Sequence, residues 1–197
     1  EEFDCKVEFV DYHVGAPVIT ENADSKNKFV RKVEKGLGTF QYQAPFAHKL
    51  SFIRYKQSFS KKYMPLLEIT DEMNYNPTVD CLVIGSDEVF NCIQKNSNVG
   101  YSPELFGKNN HAKKLITYAA SFGNTTLIKL EKYKKANEVG ALLKKFDAIS
   151  VRDANSGTIV EQLTGKEPVY NLDPVLTYDY MNCCDKIPQV QTNEKYL

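Results

Sequence analysis

Short apolar runs separated by longer amphipathic stretches organise the second half of the chain. Residues 79–84 and 115–122 are largely apolar and end in turn residues, a pattern typical of strands buried on both faces of a parallel sheet. Two further apolar runs, at 146–151 and 168–174, predict a third and a fourth strand. Each predicted strand is followed by small or polar residues.

Helical periodicity fills the segments between these predicted strands. Apolar residues recur at helical spacing over residues 127–145, and lysines occupy the rest of that helix as a solvated face. Asp153 is placed to cap a second helix, which Gly165 ends. The alternation of strand and helix predicts an α/β fold, a Rossmann-like parallel sheet with helices on both faces.

The first half of the chain has weaker patterns. Residues 5–12 alternate apolar and polar positions, which predicts a strand. Residues 45–63 predict a helix with one aromatic face, formed by Phe52, Tyr55, Phe59 and Tyr63. Residues 91–113 are rich in Asn, Gly and Lys, and they predict a long surface excursion with one short helical turn at 103–106.

The bulk composition is that of a soluble globular protein. The 197 residues are 42% hydrophobic and 25% charged, enough for one domain with a real core. The 25 basic residues balance 25 acidic ones, so no basic field predicts nucleic acid or an anionic membrane as a partner. We expect one partial domain over residues 1–178, then a linker or the start of a second domain at 179–197.

Cysteine and histidine spacing does not suggest a metal site. None of the five cysteines forms a C-x-x-C pair, and the three histidines are far apart in sequence. Cys5, Cys81 and Cys92 lie in or beside apolar segments, so we expect reduced, mostly buried thiols in a cytoplasmic protein. No apolar run approaches the roughly 20 residues that span a bilayer.

Polar residues that follow the predicted strands are the candidate site. Because the carboxyl ends of parallel strands share one edge, where ligands bind in open α/β sheets, we expect them to meet there. They are Ser86 and Asp87 after the first strand, Ser121 and Gly123 after the second, and Arg152 after the third.

Each candidate also has a structural interpretation. Ser86 and Asp87 could hydrogen-bond a sugar, or Gly85 could simply make a turn while Asp87 caps the next helical turn. Ser121 and Gly123 could present backbone N–H groups to an anion, or form a plain turn.

Arg152 suits bidentate binding of a carboxylate or phosphate, but it could instead pair with Asp153 or a neighbouring carboxylate. We interpret Asp173 and Pro174 as a strand stop, in which the aspartate accepts nearby backbone donors.

Four motifs in order carry a family resemblance. They are Gly-Ser-Asp-x-x-Phe-Asn at 85–91, Tyr-Ala-Ala-Ser-Phe-Gly at 118–123, Ile-Ser-Val-Arg-Asp at 149–153 and Leu-Asp-Pro at 172–174. Together they resemble the polysaccharide pyruvyl transferase family, from about residue 5 to residue 176. This chain departs from the family's usual Gln at Glu88, Trp at Phe90 and Glu at Asp153.

The resemblance implies an architecture larger than this sheet. Family members have two α/β domains that face each other as in glycosyltransferase-B enzymes, and this chain resembles an internal piece of the amino-terminal one. We therefore expect the family's first strand and helix, and its second domain, to lie outside these 197 residues. With its sheet edges unpaired, the piece alone should be poorly stable or should pair with another chain, possible partners including a second copy.

The resemblance also implies a reaction. The enzyme would transfer pyruvate from phosphoenolpyruvate to a sugar of a cell-surface polysaccharide as a ketal, with a lipid-linked or nucleotide-linked glycan as acceptor and no cofactor. Asp87 would be the catalytic residue, and substrate contacts would come from Ser86, Ser121, Gly123 and Arg152.

Two alternatives to this reaction remain open. One is a nucleotide-sugar-dependent glycosyltransferase-like enzyme, and the other is a non-catalytic sugar- or anion-binding module. In the pyruvyl transferase interpretation, the general acid belongs to the second domain, so residues 1–197 alone should be inactive.

Overall fold

The computed structural model describes residues 5–20, 46–67, 69, 72–75, 78–94 and 100–179. The chain divides into two compact units. The first unit contains residues 1–13 and 20–78, and the second contains residues 14–19 and 79–197. The predicted division into one domain over 1–178 and a following segment at 179–197 stays a prediction.

One long helix dominates the described part of the first unit. Helix α1 (Phe46–Tyr63) continues into a 3-10 turn at Met64–Leu67, which confirms the helix predicted there. Its aromatic residues contact one another along the helix, with ring centroids 5.7 Å apart for Tyr55 and Phe59 and 4.8 Å apart for Phe59 and Tyr63. Most of the predicted aromatic face is exposed, however, Phe52 by 58%.

Residues 5–12 do not form a strand, so that prediction is wrong. Val7 and Phe9 are exposed. The hydrogen bonds of Asp11 go to Asn74, which is distant in sequence, and not to a neighbouring strand. The Asp11 N–H donates to the Asn74 carbonyl at 2.8 Å, and the Asn74 N–H donates to the Asp11 carboxylate at 2.7 Å. The alternating pattern alone cannot make a strand, because a strand needs a neighbour for its backbone groups.

The described part of the second unit contains four short parallel strands: β1 (Cys81–Gly85), β2 (Lys114–Tyr118), β3 (Ser150–Val151) and β4 (Val169–Tyr170). Parallel ladders join β1 to β2 and β3 to β4. Parallel bridges at Ile116 and Ala120 join the β2 segment to the β3 segment. The strands therefore lie side by side in chain order, and helices and strands alternate as in an α/β fold.

Helices α2 (Leu127–Lys132) and α3 (Ala136–Leu143) connect β2 to β3, α4 (Ala154–Thr164) connects β3 to β4, and α5 (Pro174–Thr177) follows β4. The single helix predicted at 127–145 is two helices, because Lys134 adopts a left-handed conformation (φ 56°) that a continuous helix cannot contain. The predicted ends of α4 are confirmed. The Asp153 carboxylate accepts the Ser156 N–H, and Gly165 stops the helix with φ 74°.

Three buried phenylalanines form the centre of the core. The Phe90 ring lies 4.6 Å from Phe106 and 5.2 Å from Phe122, measured between centroids. Phe106 belongs to the 3-10 turn at Pro103–Phe106, which confirms the short turn predicted there. The surface excursion predicted around it is wrong at Tyr101 and Phe106, because both side chains are buried.

Strand β1 has only one buried face, unlike the prediction. Ile84 is buried, whereas Val83 is 54% exposed, so the outward face of β1 is uncovered in this structure.

The cysteine thiols also differ in burial. Cys92 is buried, and burial raises its pKa to about 12. Cys5 and Cys81 are exposed, which contradicts the expectation of mostly buried thiols.

No helix in the described ranges is both long enough and apolar enough to cross a membrane.

We expect Phe90→Ala to destabilise the second unit by about 3–5 kcal/mol, because it empties the centre of the aromatic cluster. Urea unfolding followed by fluorescence and circular dichroism measures the change. The matched control is Phe46→Ala, since Phe46 is 64% exposed. Equal losses of stability in the two variants would contradict this account of the core.

A second expectation concerns pH. Asp147, just before β3, accepts the Leu115 N–H at 2.8 Å and lies 3.5 Å from the Lys114 ammonium. The Leu115 hydrogen bond is the main cause that lowers the Asp147 pKa below its usual 3.8, and Lys114 adds to it. This carboxylate therefore stabilises the fold above pH 3.8, and the contribution is lost as the pH falls through the lowered pKa.

Asp147→Asn should lower the melting temperature at pH 7, and the difference from the unmodified chain should shrink in acid. The control is Asp80→Asn, because Asp80 forms a fully exposed pair with Lys113 at 2.6 Å. Salt at about 0.5 M should abolish the effect of the control and leave most of the Asp147 effect. Identical salt dependence would mean that the backbone hydrogen bond of Asp147 contributes little.

Candidate functional site

Arg152 is the centre of a charged cluster at the carboxyl ends of the strands. It follows β3 directly, and its N–H donates to the Ala120 carbonyl at 3.3 Å. Its guanidinium donates from Nη1 to Asp173 Oδ2 at 2.6 Å and from Nη2 to Asp87 Oδ1 at 3.4 Å. We call Asp87, Arg152 and Asp173 the rim cluster, since they leave the β1, β3 and β4 segments at the same edge.

The two carboxylates of the rim cluster are held differently. Asp173 and Arg152 have side chains only 28% exposed, and Asp173 Oδ1 also accepts the Val175 N–H at 3.0 Å. The Asp87 side chain is 85% exposed, and its contact with Arg152 is the longer one. Arg152 is therefore fixed firmly on the Asp173 side and loosely on the Asp87 side.

Asp87 has a structural role in the turn after β1, and its contact with a sugar stays a prediction. Its Oδ1 accepts the Glu88 N–H at 2.7 Å, so it does stabilise the turn. The turn itself needs Gly85, which has φ 145° and lies so close to the Tyr118 carbonyl that a side chain would collide with it. Ser86, between them, is half-buried. The same short turn thus places the Asp87 carboxylate at the rim.

Ser121 lies under the rim and is not open to solvent. Its N–H donates to the Asp87 carbonyl at 3.1 Å, which joins the ends of the β1 and β2 segments. The side chain is buried, with the residue 4% exposed, and its hydroxyl donates to Asp153 at 2.7 Å while accepting the Gly123 N–H at 3.0 Å. The hydroxyl is engaged within the protein, and its contact with a substrate stays a prediction.

Gly123 is required by close packing of the same turn. Its φ is 52°, and a side chain there would collide with the Glu88 carboxylate and the Asn91 amide. Those two groups hydrogen-bond each other at 2.8 Å. The close approach explains the glycine without a ligand, so an anion site at this turn also stays a prediction.

Asp153 is not the partner of Arg152. Its Oδ2 accepts the hydroxyls of Ser121 and Ser156 at 2.7 and 2.8 Å, and its Oδ1 accepts the Ser156 N–H at 2.8 Å. The alternative of an Arg152–Asp153 pair is therefore wrong, whereas pairing with neighbouring carboxylates is confirmed.

Sequence reasoning missed the second role of Asp173. The predicted strand stop is confirmed, since Asp173 accepts the Val175 N–H. Its Oδ2 is also the shortest contact of Arg152. The sequence indicated only that the two residues share an edge of the sheet, because Asp173 follows the fourth predicted strand as Arg152 follows the third; it did not indicate that they pair.

The described residues contain no group of three or more His, Cys, Asp or Glu side chains that could hold a metal ion.

Two cavities of about 230 Å³ each lie in the second unit, away from the rim cluster. One lies between the segments that precede β3 and β4, and the other is lined by Pro103, Glu138 and Leu142. Neither is lined by a residue of the rim cluster.

Comparison with known proteins shows the family. A family model described as polysaccharide pyruvyl transferase matches residues 25–196 of this chain. The chain belongs to the polysaccharide pyruvyl transferase family, which confirms the resemblance carried by the four motifs. No curated protein and no solved structure matches the chain.

Proposed function

We propose that this protein acts in pyruvyl transfer from phosphoenolpyruvate to a sugar of a polysaccharide, and that the rim cluster binds the donor. The family membership supports the reaction. One geometric observation supports the site. Arg152 is held at 2.6 Å by Asp173, while its other nitrogen is 3.4 Å from an exposed carboxylate that a ligand anion can replace.

The proposed reaction makes a ketal from an enol phosphate. Two sugar hydroxyls form C–O bonds to the carbon that carried the phosphate, and the bond from that carbon to the phosphate oxygen breaks. One hydroxyl proton ends on the methylene carbon, which becomes the methyl group, and the other leaves with phosphate. Such a reaction needs cationic donors for the carboxylate and phosphate, and a base near the acceptor hydroxyl.

Charge favours exchange of Asp87 for the donor. With both carboxylates in place, one guanidinium faces two negative charges, and an added anion would be repelled. Because Asp87 is 85% exposed, releasing it from Arg152 costs little. The donor carboxylate or phosphate can then form the charge-assisted pair with Nη2 that Asp87 leaves.

Once released, Asp87 is the group we assign as base at the acceptor hydroxyl. Ser86, next to it and half-buried, would contact the acceptor sugar. Ser121 and Gly123 would support the floor beneath them through the turn that they form. We further propose a Rossmann-like sheet within a glycosyltransferase-B-like enzyme that works in the cytoplasm, with a lipid-linked or nucleotide-linked glycan as acceptor.

Arg152→Lys tests the donor site. Lysine keeps the charge but cannot bridge Asp173 and a ligand anion with a planar fork, so the dissociation constant for phosphoenolpyruvate should rise about tenfold or more. Isothermal titration of the full-length protein measures it. The control is Lys113→Ala. Lys113 is an exposed cation that pairs with Asp80, and it directly precedes β2, so it lies at the end of the sheet opposite to the rim cluster.

Parallel titrations with nucleotide sugars separate the alternatives. Binding of nucleotide sugars without phosphoenolpyruvate would support the glycosyltransferase-like alternative. Binding of phosphoenolpyruvate without phosphate release, across a panel of lipid-linked and nucleotide-linked sugars, would support a binding module. Unchanged affinity in Arg152→Lys would remove the rim cluster as the donor site.

Asp87→Asn tests the base. The rate of phosphate release from phosphoenolpyruvate in the presence of acceptor should fall by roughly 10²–10⁴, because the amide cannot take the hydroxyl proton. Asp80→Asn should leave the rate unchanged, since Asp80 is an exposed carboxylate just before β1. A normal rate in Asp87→Asn would show that another group is the base.

A further inference from the structure

We infer that Asp173 is a positioning residue for the donor: it orients the Arg152 guanidinium so that Nη2 faces the ligand anion. This inference rests on the proposed function, and it adds a residue that sequence reasoning treated only as a strand stop. Asp173 does not itself contact the donor in this scheme. It acts through Arg152.

The backbone around Asp173 fixes its position relative to Arg152. The Asn171 N–H donates to the Val151 carbonyl at 2.9 Å, which sets the register of β4 beside β3. Two residues later, the Asp173 carbonyl accepts the Leu176 N–H at 2.8 Å. Asp173 is thereby held three residues beyond the end of β4, within hydrogen-bond distance of Arg152 at the exit of β3.

The Asp173 carboxylate is fixed as well, because its two oxygens accept hydrogen bonds from different partners. Oδ1 accepts the Val175 N–H at 3.0 Å, and Oδ2 accepts Arg152 Nη1 at 2.6 Å. Oδ1 thus fixes the carboxylate to the start of α5, and Oδ2 holds the guanidinium by a hydrogen bond. Because the guanidinium is planar, holding Nη1 also sets the direction of Nη2, which points toward Asp87 at 3.4 Å.

Asp87 and Asp173 thus each place one negative charge beside the Arg152 guanidinium. They differ in that Asp173 is held close and partly buried, whereas Asp87 is exposed and farther away. If both only neutralised Arg152, removing either charge would strengthen anion binding. If Asp173 positions Arg152, removing its charge weakens binding even though the site becomes more positive. The two substitutions therefore separate the roles by the sign of their effects.

The experiment compares Asp173→Asn with Asp87→Asn by isothermal titration of the full-length protein with phosphoenolpyruvate. Asp173→Asn should raise the dissociation constant about tenfold, the usual scale for losing a hydrogen bond to a charged group. Asp87→Asn should leave it unchanged or lower it by up to about fivefold, the scale of an exposed ion pair. Asp173→Glu, which restores the charge, should recover part of the lost affinity.

Stability is controlled by Asp147→Asn. Asp147 also accepts a backbone N–H and pairs with a cation, but it precedes β3, whereas Arg152 follows it. Asp147→Asn should lower the melting temperature without changing the affinity for phosphoenolpyruvate. If Asp173→Asn is too unstable to titrate, the same comparison is made in Arg152→Lys, where Asp173→Glu should cause no further loss if Asp173 acts through Arg152.

The outcomes distinguish this inference from the proposed function. If Arg152→Lys weakens binding but Asp173→Asn strengthens it or leaves it unchanged, the positioning role is overturned and the donor site stands. Additive losses from Arg152→Lys and an Asp173 substitution would also overturn it. If neither the unmodified protein nor any variant binds phosphoenolpyruvate, the proposed function fails first.

Discussion

The parallel register of the four strands is the constraint on which the rest of the second unit depends. Gly85 pairs with Tyr118 across β1 and β2, and Ala120 bridges Val151 beyond them. Since the strands run the same way, the residues that follow them leave at one edge. Arg152 and its two carboxylates meet there although they are far apart in sequence.

Hydrogen bonds to Asp153 stabilise the turn after β2, next to the rim cluster. Buried hydroxyls are costly unless they are paired, and here Ser121 and Ser156 both donate to Asp153. The Ser156 hydroxyl in turn accepts the Phe122 N–H at 2.8 Å. The start of α4 and the turn after β2 are thus held by the same carboxylate, so the turn beneath the rim cluster keeps one shape.

Three positions that differ from the pattern expected from the family resemblance have different structural roles. Phe90 is fully buried against Phe106 and Phe122, so that change concerns packing of the core. Asp153 keeps the carboxylate that caps α4. Glu88 is the departure nearest the rim cluster, since it follows Asp87 and hydrogen-bonds Asn91 beside Gly123.

Local patterns determined much of this protein: the four parallel strand segments, the cap and stop of α4, and the family motifs at the strand ends. These features depend on neighbours in sequence, which periodicity and capping residues report directly. Only the tertiary structure decided that residues 5–12 form no strand, that Phe106 is in the core, and that Arg152 pairs with Asp173, not Asp153. Each of these depends on contacts between residues distant in the chain, which no local pattern contains.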